Sequence, residues 1–388
     1  MSGGVSAAAF RSRFPMLDRR VHLSSCSLGA RSVDLDRALL AMAEDMTAGG
    51  GAWEAFEEQN AQARRGFAAL VGADVGQIAL LPSASVGAYQ VASTTDWGAR
   101  PKIVTGSREF PSVAHVWLAQ RPRGAEVVFA AHSTDPADLV DERTRLVSVP
   151  LVGYRDARRA PVAELAVASH SVGAAVFVDA YQAVGVEPVD VDALGCDFLV
   201  AGTMKYLLGL PGLAFLYARA PALADRAPRL TGWFGRRDPF AFDPTVLDFP
   251  TTATRFETGT PAVPACYAAN AGLGLVGALD LAVVQEHVRA LTGSAVAGLE
   301  RQGETVRAAP PGSRGAHIGL VDADPSALAG RLAARGISVS PRGDVVRVAF
   351  HYFNNTDDVL ALCEAVAADR RSAPPDRAGT ERRSHVHG

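Results

Sequence analysis

Three stretches of the chain put reactive residue types where apolar runs give way to polar ones. In Leu81-Pro82-Ser83-Ala84-Ser85-Val86-Gly87 a strand-like run passes into a helical pattern through small hydroxyl residues. Free N–H groups at a helix start, with the Ser83 and Ser85 hydroxyls, form a seat for an anion such as a phosphate. Serine at that place also serves as a plain helix cap. In Val176-Phe177-Val178-Asp179 an apolar run ends in a carboxylate, a residue that also makes ordinary caps and turns. In Gly202-Thr203-Met204-Lys205-Tyr206 a lysine stands between the apolar runs 197–201 and 207–217. An amine so flanked must snorkel, pair or be used chemically, and lysine is the residue that forms Schiff bases with carbonyl groups.

Phosphate seat, carboxylate and amine together match the needs of pyridoxal 5′-phosphate (PLP). Its phosphate takes N–H and hydroxyl donors, its pyridine nitrogen an acidic partner, its aldehyde a lysine. The carboxylate keeps the ring nitrogen protonated, so the ring can absorb the electron pair left when a bond at Cα breaks. No G-x-x-x-x-G-K-[ST] loop and no G-x-S-x-G elbow occurs, which excludes a P-loop and the common hydrolase nucleophile.

The elements that must position these groups alternate along the chain. Apolar runs at 78–81, 102–106, 126–131, 145–150, 175–180, 197–201 and 214–218 are separated in several places by helix-like segments, 84–93, 112–120 and 161–170. That alternation predicts an α/β domain with a mainly parallel sheet covered on both faces, with ligand sites beyond the strand ends. After Pro264 the texture changes to a long helical stretch reaching about Leu299, then strand (317–321), helix (326–335), strand (345–351) and a last helix from Thr356. The expected division is an N-terminal segment 1–46 packing with the smaller unit, a large cofactor-binding domain 47–265 and a small α+β domain 266–369. A polar tail, 370–388, is expected to be disordered, and its H-V-H histidines solvated.

Composition narrows the function. With 388 residues and 48% hydrophobic content the chain is long enough for two or three structural units at about 100–200 residues each. Thirty-eight Lys+Arg against 41 Asp+Glu give a net charge of −3, no footprint for a polyanion, and no expectation of nucleic acid as a partner. Cys26, Cys196, Cys266 and Cys363 lie far apart without a C-x-x-C pair, so neither a disulfide scaffold nor a zinc or other metal site is expected. The N-terminus lacks signal-peptide organisation, and the uncharged run 259–279 carries Pro261, Pro264 and Asn270, which suits loop plus packed helix rather than a membrane span. A soluble cytoplasmic protein without membrane association is expected.

On these motifs the chain, from about Val21 to Val366, resembles the class V (fold type I) PLP enzymes, a superfamily of kynureninases, cysteine desulfurases, C–S lyases, isopenicillin N epimerase-like proteins and some aminotransferases. The resemblance implies a large domain with a mainly parallel seven-stranded sheet plus a smaller α+β C-terminal domain. It implies that Lys205 carries the cofactor, that Asp179 in V-D-A-Y-Q pairs with the ring nitrogen, and that Gln182 bonds the ring's phenolic oxygen. Ala84, Ser85 and Thr203 would hold the phosphate, beside the Ser83 hydroxyl already placed at that seat. Phe110, in F-P-S, would stack on the ring. Thr260, in E-T-G-T-P, and Trp233, in G-W-F-G, look like residues that reach a neighbouring subunit's cofactor, which implies a homodimer with shared active sites. Arg347, in V-V-R-V-A-F-H-Y-F-N-N-T, matches the arginine that grips a substrate α-carboxylate, with Ser27 and Trp53 as further substrate contacts.

Ser27-Leu28-Gly29, Phe110-Pro111-Ser112, Trp233 and Lys205-Tyr206-Leu207 lean towards kynureninase. Met204, Gln182 and Thr260 depart from it, standing where that family has tyrosine, histidine and asparagine. The loop 336–344 has no cysteine of the kind desulfurases use to form a persulfide, and Cys363 lies beyond Arg347 as an expected core residue. His115 is expected to be packed or at the surface, Tyr89 in the core, and Cys26 either in the pocket or simply buried. The expected activity is that of a PLP-dependent lyase or transferase on a small α-amino acid, foremost cleavage of a Cβ bond, of kynureninase or C–S lyase type. Transamination, epimerisation and a non-catalytic PLP-fold binding protein are the alternatives.

Overall fold

Apolar runs without polar alternation become strands covered on both faces. In the computed structural model, which describes residues 4–47, 51–223 and 226–372, they form β1 (Ile78–Leu81), β2 (Lys102–Gly106), β3 (Glu126–Ala130), β4 (Thr144–Pro150), β5 (Ala175–Asp179), β6 (Phe198–Gly202) and β7 (Ala214–Ala218). Their order in one sheet is β3-β2-β4-β5-β6-β7-β1. Strands β2 to β6 run parallel, and β7 runs against both its neighbours, β6 and β1. All residues of β6 and β7 are buried. Asp197 stands just before β6, its carboxylate accepting the Val176 N–H of β5 at 2.8 Å.

The register brings the chemistry to one edge. Pro150, Asp179 and Val200 lie side by side across β4, β5 and β6, and Leu81, Ala214 and Gly202 across β1, β7 and β6. Helices α1 (Val33–Asp45), α2 (Ala52–Val71), α3 (Ala84–Ser93), α4 (Pro111–Leu118) and α5 (Val162–Ser171) accompany the sheet. Ser83 caps α3, its Oγ accepting the Val86 N–H at 3.3 Å. Gly87 lets α3 lie directly on β6, since a Cβ there would stand 2.7 Å from Val200 Cγ1. Helix α3 buries Ala84, Gly87, Ala88 and Val91 along one face, and Gln90, Ala92 and Ser93 besides. Tyr89 is off that face and exposed, not a core residue as the sequence suggests.

The helical stretch after Pro264 divides into α6 (Val263–Gly277) and α7 (Leu281–Arg301), bent by 85° where Asp280 caps α7. Among the described residues no single helix is long and apolar enough to cross a membrane. A second, wholly antiparallel sheet follows, built from β8 (Val306–Arg307), β9 (His317–Val321), β10 (Ser340–Arg342) and β11 (Val345–Ala349) in the order β10-β11-β9-β8. Helices α8 (Pro325–Ala334) and α9 (Thr356–Ser372) pack beside it. The N-terminal segment joins this part: Val21–His22 pairs with Ile337–Ser338, and Phe10 and Phe14 pack on Phe353. Helix α9 continues to Ser372, and Arg370 pairs with Glu304 at 2.9 Å and Asp322 at 2.7 Å, so these residues are not part of a loose tail. The H-V-H motif lies outside the described residues.

Candidate active site

At the carboxyl ends of β4, β5 and β6, under the β10–β11 hairpin, lies a cavity of about 260 Å³. Of the residues singled out in the sequence, Ser27, Ser83, Ala84, Ser85, Phe110, Asp179, Gln182, Lys205 and Arg347 line it, and so does Cys26. These positions span the chain from its first thirty residues to its last fifty.

Lys205 sits on the turn that leaves β6. That turn is closed by hydrogen bonds from Leu208 N–H to Lys205 O (3.1 Å) and Gly209 N–H to Thr203 O (2.8 Å), with Leu208 in the left-handed region at φ 59°. Glycines from three separate segments press on it. A Cβ on Gly29, Gly185 or Gly272 would collide with the carbonyl oxygens of Lys205, Tyr206 and Leu207 respectively. His351 Nδ1 accepts the Tyr352 N–H, so its Nε2 donates to the Tyr206 carbonyl at 3.0 Å. Burial pulls that imidazole down to about 4, which keeps the ring neutral, and the two hydrogen bonds fix its tautomer. The Lys205 Nζ projects into the cavity, 4.2 Å from the Tyr181 ring centroid and 5.5 Å from that of Phe110. Desolvation pulls its ammonium down to about 8 against the attraction of Asp179, leaving a sizeable neutral fraction.

Asp179 and Glu109 form the acidic side. Asp179 Oδ1 accepts the Tyr181 N–H at 2.9 Å. Glu109 accepts from Phe110 N–H at 2.9 Å and from the Ser148 hydroxyl at 2.8 Å. Burial, then the neighbouring Asp179 charge, pushes Glu109 up to about 8. Burial raises Asp179 as well, opposed by the Tyr181 N–H and by the Lys205 charge; both favour its ionised form, and Glu109 has no such help from Lys205. Glu109 carried no motif signal beyond its place before Phe110-Pro111.

On the opposite wall Arg347 is 1% exposed, on a buried face of β11 rather than an exposed one. It donates from Nη1 to Tyr154 O at 3.0 Å and from Nη2 to Ser340 Oγ at 3.1 Å, while Nε has no partner among the described residues. Gln182 donates to Cys26 O at 3.0 Å and its Oε1 is likewise unpartnered. Tyr154, Tyr181 and Arg342 also line the cavity and had not been singled out. Tyr181, two residues past Asp179 at a strand's carboxyl end, offered a positional signal; Tyr154 and Arg342 offered little.

Four expected residues stand elsewhere. Thr203 does not reach the cavity: its Oγ1 donates to Leu210 O at 2.5 Å and approaches Leu213 O, so the tight turn has rotated the hydroxyl inward. Trp53 does not line it either, lying half-exposed against Trp233 with ring centroids 6.0 Å apart. Trp233 and Thr260 are outside this chain's own cavity, Thr260 being exposed. His115 is at the surface.

The donor set fits PLP: a helix start whose first N–H groups have no intrahelical acceptor, a buried carboxylate, an amine, and two buried polar atoms left unpartnered at the cavity. The fold and this site define an enzyme of fold type I that uses pyridoxal phosphate. Residues 47–362 match the family model described as aminotransferase class-V, and the chain belongs to that family. It is 33% identical over 363 residues to "Uncharacterized aminotransferase YcbU" of Bacillus subtilis, covering 92% of this chain and 97% of that protein. It is 28% identical to a kynureninase of Pseudomonas fluorescens, covering 74% and 72%. Among solved structures, a lysine-to-alanine variant of C-DES with glycine linked to its PLP superimposes with a TM-score of 0.85 at 20% identity, covering 92% and 98%.

Proposed function

We propose that the protein acts on a small α-amino acid and breaks a bond at its Cβ, as a kynureninase-like or cysteine-conjugate C–S lyase. The observation that carries the amino-acid reading is Arg347, a buried guanidinium that has no carboxylate partner among the described residues and shares the small cavity with Lys205. A planar fork so placed suits a substrate α-carboxylate. Bound PLP supplies the electron sink for bond breaking at Cα. Lys205 Nζ would hold the cofactor, and burial keeps part of this amine neutral, the form that could take a proton from a substrate Cα and return one. Asp179, whose ionised form the Tyr181 N–H and Lys205 favour, would face the ring nitrogen. Gln182, with a spare oxygen and an amide already committed to Cys26, fixes one side of the ring pocket. Phe110, held edge-on to Tyr154 at 5.1 Å, gives the ring an apolar face.

Cleavage without a protein persulfide is supported by the cysteine-free loop 336–344. Cys26 is the one cysteine lining the cavity, and burial raises its thiol, which opposes the thiolate such chemistry needs. Transamination is the second reading, favoured by the resemblance to a protein named as an aminotransferase. A panel of amino acids including kynurenine and cysteine conjugates separates them. Elimination releases a side-chain fragment with no amino acceptor present, whereas transamination requires a keto acid and releases none.

We propose too that the active unit is a homodimer. Exposed Phe240 and Phe242 continue from Trp233 and Trp53 as an apolar surface, which suits burial against a second copy. A monomeric, fully active species in sedimentation would overturn this.

A further inference from the structure

We propose that the Tyr181 hydroxyl is a phosphate ligand of the bound cofactor, supplying from the turn after β5 a donor that the turn after β6 lacks. Three observations converge on it. The turn after β6 presents no hydroxyl to the cavity: Gly202 has no side chain, Thr203 is turned to Leu210 O, and Met204 has no polar hydrogen. The Tyr181 ring fills the space over Gly202, where any Cβ would collide with the ring's Cζ and hydroxyl oxygen. Gly202 in turn stands level with the phosphate seat. It pairs with Ala214, which pairs with Leu81, two residues before Ser83, and α3 rests on β6 through the Gly87–Val200 contact.

The phenol is suited to donating. Burial and the Asp179 charge push it up to about 12, against a backbone hydrogen bond from Met204, so it keeps its proton at neutral pH. That backbone bond uses the oxygen as acceptor and leaves the O–H free. The absence of a side chain at Gly202 and the presence of a tyrosine at 181 are thus one feature: the glycine makes room for the phenol. Alternatively, Tyr181 serves only as an apolar wall beside Lys205, and the two roles predict different ligand dependence.

The inference rests on PLP as the cofactor. Its test compares PLP with pyridoxal, which lacks the phosphate, by absorbance titration of the full chain freed of cofactor. Tyr181→Phe keeps the ring and removes the hydroxyl. Losing one hydrogen bond to a charged group should weaken PLP roughly ten- to a hundredfold while leaving pyridoxal affinity unchanged. Equal loss for both ligands, or no loss for PLP, overturns the proposal. Failure of the unaltered chain to bind PLP would instead overturn the cofactor reading on which it rests. A second pair of variants works without relying on Tyr181→Phe. Tyr181→Ala should lose PLP affinity, and adding Gly202→Ser, which fits only once the ring is gone, should restore part of it for PLP but not for pyridoxal. No recovery, or equal recovery for pyridoxal, again counts against the assignment.

Discussion

The two walls of the cavity are built in opposite ways. On the lysine side, residues 203–209 form a turn held by its own backbone hydrogen bonds, by His351, and by three glycines that leave no room for a Cβ. On the arginine side, the β10–β11 hairpin presents Arg347 with an unpartnered Nε and Arg342 exposed at the rim without an ion pair among the described residues. A wall locked by backbone hydrogen bonds and close glycine contacts suits a guest that stays. One with spare donors suits a guest that comes and goes. The contrast separates changes that break the fold from changes that break only recognition.

The largest expected effect is on the lysine side. Gly272→Ala drives a methyl into the Leu207 carbonyl and should cost about 1–3 kcal/mol or more, with loss of bound cofactor. Gly274→Ala, two positions along α6 with open space around it, should gain roughly 0.5–1 kcal/mol. Urea unfolding of the two variants checks this, and equal stabilities would remove the cradle from the account.

Arg347→Ala comes next. It should bind PLP with a normal spectrum and lose amino-acid affinity by about ten- to a hundredfold, as expected for a charge-assisted contact worth roughly 1.5–3 kcal/mol. Loss of the cofactor instead would make the arginine wall structural too, and the contrast would collapse.

A smaller effect concerns pH. Folded Glu109 keeps until about 8 a proton that the unfolded chain releases near its ordinary value of 4.5. The folded form binds more protons across that window, so this group's contribution to stability falls as pH rises from about 4.5 to 8. Lys205 in the cofactor-free protein acts the other way, its contribution rising with pH between about 8 and 10.5. Glu109→Gln should flatten the lower slope in denaturant midpoints measured from pH 5 to 8, and leave the upper one. An unchanged lower slope would return the pair's proton to Asp179. The smallest effect is Arg342→Ala, whose exposed side chain bonds only the Pro341 carbonyl at 3.0 Å and should change stability by less than about 0.5 kcal/mol.

The sheet was legible because each strand is a short apolar run, and five positions in a row without polar alternation have few other meanings. Asp179 and Lys205 were legible because a charge at the end of such a run needs a reason. What escaped was whatever depends on residues distant in sequence meeting in space. Gly29, Gly185 and Gly272 look ordinary until they close on the same turn. Thr203 was misplaced because spacing gives a residue's position along the turn but not its rotation about it. Trp53 was misplaced because nothing along α2 shows that its first turn faces Trp233 rather than the cavity. Tyr89 erred through helix phase, one position off the face that Ala88 shares with Gly87.

The central claim is that this cavity is organised around Lys205 as the cofactor-bearing amine. The chain offers one rival, Lys102, whose Nζ is already engaged by Asp141 at 2.8 Å and by Leu139 O. Borohydride reduction of the purified holoenzyme, proteolysis and mass spectrometry should place the pyridoxyl group on the peptide containing Lys205 and leave Lys102 unmodified. A pyridoxyl group on Lys102, or a holoenzyme in which neither lysine becomes labelled, would contradict the account.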